Sequence, residues 1–274
     1  MTTTKSNAKQ KKSLITHLIW SGIIITSIGL IITVIDAAIN IPHSEIGIPN
    51  PHNLWYPTGF WANIWNSLST FTVQSNILVL VFFILALINR LTKTKLQFVN
   101  GWFKFAVTIY ISITLIIFWA ALFQPLITNT DFSKSLDVLN FLNTFLLHLF
   151  TPVIMIIFFF ITSGTTKWAI KSTLTKALPI IISYMFIYLF YALIKGEFVG
   201  LLKNKKGFLF VDYSFPYFFL NVKEKLGTFF LYFFIILILF IGLFAVYYFY
   251  NNWRYDRKEG NQENKKIKAT KPIN

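Results

Sequence analysis

The sequence predicts an all-α polytopic membrane protein: a bundle of six transmembrane helices with both termini cytoplasmic. Three observations point there. Of 274 residues, 55% are hydrophobic and only 13% are charged, whereas a soluble domain carries about a quarter charged residues. Six apolar runs reach the ~20 residues that a span requires. Lys and Arg gather in the tails and in alternate connections, which orients the spans. The expected organisation is a basic tail over 1–13, a six-helix membrane domain over 14–250 and a basic tail over 251–274. No stretch between the runs has a core-forming pattern, so no separate soluble domain is expected.

The first span is read at about 14–39, after a polar start holding Lys5, Lys9, Lys11 and Lys12. A basic start and apolar core resemble a signal peptide, but this run is too long for one and reads as an uncleaved helix. Residues 40–66 form a loop with four prolines and no Lys or Arg. Its Trp55, Tyr56, Trp61 and Trp65 suit the membrane interface. His43, Glu45 and His52 match no metal-ligand spacing and read as solvated loop residues.

Helix two is expected at about 67–88, followed by a connection with Arg90, Lys93, Lys95 and Lys104. Helix three is expected at about 105–123, ended by Gln124 and Pro125. A polar loop with Asp131, Lys134 and Asp137 leads to helix four, about 138–162. Lys167 and Lys171 precede helix five, about 177–194, with Pro179 in its first turn, where a missing N–H costs little. Residues 195–225 form a long loop with six lysines that departs from the charge asymmetry. Helix six is expected at about 226–248.

The net charge of +15 sits in tails and short connections. It therefore reports orientation and contact with anionic lipid, not nucleic acid. Cys is absent, which excludes disulfides, thiolate metal ligands and a Cys nucleophile. No Gly-rich phosphate loop is present, no second histidine stands at the right depth for haem, and no cofactor is expected. The expected location is the cell membrane, multi-pass.

Two polar faces stand out. Thr70-Phe71-Thr72-Val73-Gln74-Ser75-Asn76 opens helix two, and Thr72, Ser75 and Asn76 share one face. In helix four Asn140, Thr144 and His148 are spaced by four and share a face, with Asn143 and Thr151-Pro152 nearby. Polar side chains at membrane depth belong in a protein-lined interior. At about 1.5 Å rise per residue, Thr72 lies roughly 8 Å and His148 roughly 15 Å below the outer boundary. A hydroxyl and an imidazole in one layer form a nucleophile–base pair in principle. The alternative is that these side chains only bridge neighbouring helices. Asp36, near the end of helix one, reads as an exposed helix end.

Phe71-Thr72-Val73-Gln74-Ser75-Asn76, His148 followed by Pro152, and Phe215-Pro216-Tyr217-Phe218-Phe219-Leu220-Asn221-Val222 occur in this order on helices two, four and before six. Together they resemble the bacterial six-helix relatives of the androgen-induced, integral membrane hydrolase family, over helices two to six. The proline after His148 is spaced slightly differently from the animal members. The resemblance implies a threonine hydrolase of fatty-acyl esters, with Thr72 as nucleophile and His148 as base. Ser75, Gln74, Asn143, Thr144, Pro216 and Tyr217 would line the site. Asn76, one turn from Thr72, is the expected oxyanion donor, and membrane lipids are the expected partners, with a lipid ester as substrate. Two other classes stay open. One is a transporter or small-molecule binder, although no inverted repeat is visible. The other is a structural or regulatory membrane protein.

Overall fold

In a computed structural model, residues 2–39, 64–65, 67–92, 101–205, 215–223 and 225–270 are described. The loop with His43, Glu45, His52, Trp55, Tyr56 and Trp61 lies outside them, as does most of the connection with Lys93 and Lys95. The described chain is helical without strands. Six helices are long and apolar enough to cross a membrane, so this is a multi-pass membrane protein.

Helix α1 is Thr2–Ile39 and α2 is Phe71–Leu91. Helix α3 starts as Trp102–Ile117, passes through a π turn at Phe118–Leu122 and continues as Phe123–Asn129. Helix α4 is Ser135–Phe145, a π turn at Leu146–Phe150, then Thr151–Thr162. Helix α5 is Ile170–Ser172, a π turn at Thr173–Ala177, then Leu178–Lys205. Helix α6 is Leu226–Thr270.

The three π turns share one cause. Proline lacks an N–H, and its ring strikes the carbonyl four residues back. Pro125, Pro152 and Pro179 each follow a π turn by two or three residues. In each turn an N–H reaches back five residues: Phe123 to Phe118, Thr151 to Leu146, and Leu178 to Thr173. One extra residue in the turn lets the helix run on past the proline. Hence α3 does not stop at Gln124-Pro125, as expected, but reaches Asn129. Likewise α5 begins at Ile170, ahead of Pro179.

Helix α3 is the centre of the bundle, with every residue from Lys104 to Thr114 buried. Helices α1, α2 and α4 pack together on one side of it. Ile19, Phe82, Phe83, Val107, Met155 and Phe158 form that part of the core. On α1 the inward positions are Ile19, Gly22, Thr26, Gly29, Thr33 and Asp36, spaced alternately three and four, the repeat of a packed helix seam. Small residues there let neighbours approach closely. A Cβ on Gly22 would come within 2.4 Å of the Phe83 ring, and one on Gly29 within 2.6 Å of Leu147. The Thr26 and Thr151 hydroxyls are hydrogen-bonded at 3.1 Å. Asn143 Nδ2 donates to Thr33 Oγ1 and Asn140 Nδ2 to Asp36 Oδ1. Asp36 is therefore tied into the seam and is not a free helix end.

The far end of α6 does not leave the bundle at Tyr248. Asn251 accepts from the Gly164 N–H and donates to the Thr166 carbonyl. Asn252 does the same with Trp168. Lys258 donates to the Ser163 and Gly164 carbonyls, and Lys104 to Thr162 Oγ1. Lys258 thus caps the carbonyl end of α4, where the helix dipole favours a cation, and Lys104 binds a hydroxyl in the helix's last turn. Gly164 adopts φ +70, and a Cβ there would meet the α6 backbone at 2.8 Å.

Candidate functional site

The π turn at Leu146–Phe150 shapes the site. Thr151 gives its N–H to Leu146, and position 152 has none to give. The Leu147 carbonyl therefore lacks its usual backbone donor. Asn76, fully buried on α2, fills the gap: its Nδ2 donates to Leu147 O at 3.1 Å and to Thr72 O at 2.8 Å. A buried carbonyl left unpaired is costly, so Asn76 locks α2 to the turn that carries His148.

His148 leans on Phe118 of the facing π turn, with ring centroids 4.6 Å apart. Below the α3–α4 connection these two helices flank an open cleft of about 390 Å³. One wall is Phe118, Leu122, Leu126 and Thr130, and the other is Asp137, Asn140, Phe141, Thr144 and His148. The volume suits a drug-sized group. His148 Nδ1 lies 3.0 Å from the Thr144 carbonyl. A carbonyl only accepts, so Nδ1 carries the proton and Nε2 keeps its lone pair.

Thr72 faces a different set of groups. It lies beside the Tyr217 phenol, which takes the Phe71 N–H at 3.1 Å. Tyr188 reaches Tyr217 and donates to the Ser69 carbonyl, and Tyr191 is hydrogen-bonded to Ser69 Oγ at 2.7 Å. Tyr217 lies in the connection before α6, and burial raises its phenol above the ordinary value. It is therefore protonated at neutral pH. Thr70 caps α2 by accepting from the Val73 N–H. The Phe71 and Val73 amides in the first turn of α2 are thus met by Tyr217 and Thr70, which relieves a buried helix start.

The remaining residues singled out in the sequence have defined places. Gln74 donates to the Leu68 carbonyl and accepts from Tyr184. Ser75 is hydrogen-bonded to Thr114 at 2.9 Å. Asn143 turns toward α1, Thr144 lines the cleft, and Pro216 is half-buried beside Tyr217. Among the described residues no hydrogen bond joins Thr72 to His148. Asn76 stands between them, one turn from Thr72 and bonded one residue before His148. Both of its donated bonds go to carbonyls, so Tyr217 is the donor beside Thr72. The Asn76 Oδ1 and Asn143 Oδ1 atoms are buried without a hydrogen-bond partner.

Sequence reasoning missed the tyrosines of α5. Tyr184, Tyr188 and Tyr191 recur at i, i+4 and i+7, a one-face pattern visible in the sequence. Among the described residues no group of His, Asp and Glu suits a metal ion. No family model, no curated protein and no solved structure matches this chain.

Proposed function

We propose that this protein is an intramembrane hydrolase of fatty-acyl esters, similar in plan to the family that its motifs resemble. The carrying observation is His148: its proton is held on Nδ1 by the Thr144 carbonyl, so a basic Nε2 remains at the base of a cleft with an apolar wall. Thr72 Oγ1 would attack the ester carbonyl carbon while Nε2 takes its proton. Tyr217 would donate to the oxyanion, in the place first given to Asn76. The C–O bond to the alcohol then breaks, and His148 returns the proton to the leaving oxygen. Water, deprotonated by His148, cleaves the acyl-threonine and releases the fatty acid. Thr72 must exchange Tyr217 for His148 as the ester binds. Active sites often tighten in this way only when occupied.

The Lys/Arg asymmetry supports both termini in the cytoplasm of a bacterial-type cell membrane. Hydrolysis of fluorogenic acyl esters by the purified protein tests the proposal. The expected result is turnover that Thr72→Ala and His148→Ala both abolish and Thr72→Ser retains. Turnover unchanged in either alanine variant contradicts it. One observation favours a second reading, a binder of amphiphiles without chemistry: among the described residues the Thr72 side chain lies beside Tyr217 and is not hydrogen-bonded to His148. Under that reading no ester is cleaved and ligand uptake is indifferent to Thr72.

A further inference from the structure

All six helices meet at the end of the bundle opposite the cleft. Arg90 at the end of α2 donates to the Lys12 carbonyl of α1 at 2.7 Å. Lys104 at the start of α3 reaches Thr162 at the end of α4. Asn251 and Asn252 of α6 hold Gly164 after α4 and Trp168 before α5. In sequence, the stretches 1–13, 90–104, 163–176 and 251–274 carry eighteen of the chain's 25 Lys and Arg but three of its ten Asp and Glu. Those three are Asp256, Glu259 and Glu263. Asp256 pairs with Lys167 at 2.7 Å, and Glu259 accepts from the Tyr255 phenol. The positive excess at this end thus follows from composition and not from the placement of any one side chain.

Three of these cations close on residues 162–164. Lys258 Nζ donates to the Ser163 and Gly164 carbonyls at 2.8 and 2.7 Å. Lys104 Nζ donates to Thr162 Oγ1 at 3.1 Å and lies 5.4 Å from the centre of the Phe159 ring. Arg254 packs on Gly164, where a Cβ would come within 2.6 Å of its Cγ, and donates to the Tyr250 phenol. Lys258 lies within electrostatic reach of Arg254 and of Lys11 on α1, and Lys104 within reach of Lys258. Among the described residues none of these four cations pairs with a carboxylate.

Lys104 is 2% exposed. A buried cation is costly without a counter-charge, and here the charge within its reach has the same sign. An ammonium offers three N–H donors and a guanidinium five. The bonds named above leave donors on Lys104 and Arg254 for an acceptor from outside the chain. Trp253, next to Arg254 and half exposed, is the residue type that sits at headgroup level. A multiply accepting anion at that level is a lipid phosphate, and basic pockets between helix ends suit one.

We propose that Lys11, Arg254 and Lys258, with the buried Lys104 behind them, bind the phosphate of one anionic phospholipid, with Lys258 standing between that phosphate and the α4 carbonyls. This is more than the attraction of a basic tail to a charged surface, because Lys104 belongs to the helix bundle. It shares no residue with the cleft and does not depend on ester cleavage.

The full chain is placed in phosphatidylcholine nanodiscs with and without phosphatidylglycerol of the same acyl chains. Retained lipid is counted by native mass spectrometry and thermal unfolding is followed. One phosphatidylglycerol should be retained at a concentration roughly tenfold lower than phosphatidylcholine requires, and it should raise the unfolding temperature. Arg254→Gln with Lys258→Gln should abolish the preference. Lys268→Gln with Lys271→Gln, the same charge change in the tail, should keep it. No preference in the parent, or equal loss in both pairs, would overturn the site. Lys11→Gln, at an exposed position, should weaken the preference and gives the reading where the paired variant does not fold; an unchanged preference there would count against the site. Lys104→Met should unfold later than the parent in phosphatidylcholine alone and gain less from phosphatidylglycerol. An equal gain would overturn the part given to Lys104. Equal stabilisation by glycerol phosphate in pure phosphatidylcholine would overturn a lipid as the occupant.

Discussion

Replacing Asn76 with Leu tests the joint between the two halves of the site. The side chain is fully buried, and its Nδ2 donates to the Leu147 and Thr72 carbonyls. Thr72 O also accepts from Ser75 Oγ, so it keeps a partner. Leu147 O does not, because Thr151 serves Leu146 and residue 152 is proline. Leaving a buried carbonyl unpaired costs about 1–3 kcal/mol. Side-chain hydrogen bonds between membrane helices average nearer ~0.6 kcal/mol. Leu also removes the unpartnered Oδ1, which offsets part of the loss. The expected destabilisation is about 1–2 kcal/mol. Pro152→Ala restores an N–H at 152 and lets Thr151 return to Leu147. On that background Asn76→Leu should cost less than about 0.5 kcal/mol, a coupling of about 1 kcal/mol, as expected for residues sharing one network. Unfolding in mixed micelles, followed by circular dichroism, measures all four proteins. Strictly additive penalties would refute the claim that Asn76 answers the carbonyl that Pro152 orphans.

Other consequences are simpler. Gly164→Ala should destabilise by more than about 2 kcal/mol, since φ +70 alone costs an L-residue ~1–2 and its Cβ would strike α6; thermal unfolding in detergent reads the loss. Gly22→Ala should cost about 1–3 kcal/mol against the buried Phe83 ring, whereas Gly242→Ala, with open space around it, should be neutral or better by the same assay. Hydrogen bonds from the Ser133 side chain and backbone, and then Lys134, hold the exposed Asp131 carboxylate below its ordinary 3.8. Its contribution to the α3–α4 turn is therefore present above that value and lost as pH falls through the lower folded one. Protection factors in that turn, which divide out the intrinsic pH dependence of exchange, should fall only below the ordinary carboxylate range, and Asp131→Asn should remove the dependence.

The six spans were legible because hydropathy over some twenty residues is a sum, and local detail averages out. Their ends were not, because proline reads as a stop. At Pro125, Pro152 and Pro179 a π turn absorbs the ring, an arrangement that one residue type alone does not announce. The alignment of Asn140, Thr144 and His148 was legible as a spacing of four, and all three line the cleft. Tyr217 was singled out in the sequence, but its hydrogen bond from the Phe71 amide depends on where the connection before α6 settles on α2. That is a long-range contact without a periodic signal. The role of Asn76 was misplaced for a related reason. Its depth and face were readable, while its partner carbonyl was created by a proline seventy-six residues away. The Asn251 and Asn252 clamp was hidden inside a segment whose basic composition reads as a solvated tail.

The most direct test of the central claim is to treat the purified protein with a fluorophosphonate and map the adduct by peptide mass spectrometry. The account predicts one adduct, on Thr72, lost in His148→Ala and kept as a serine adduct in Thr72→Ser. An adduct elsewhere, or one on Thr72 that forms equally well without His148, would contradict it.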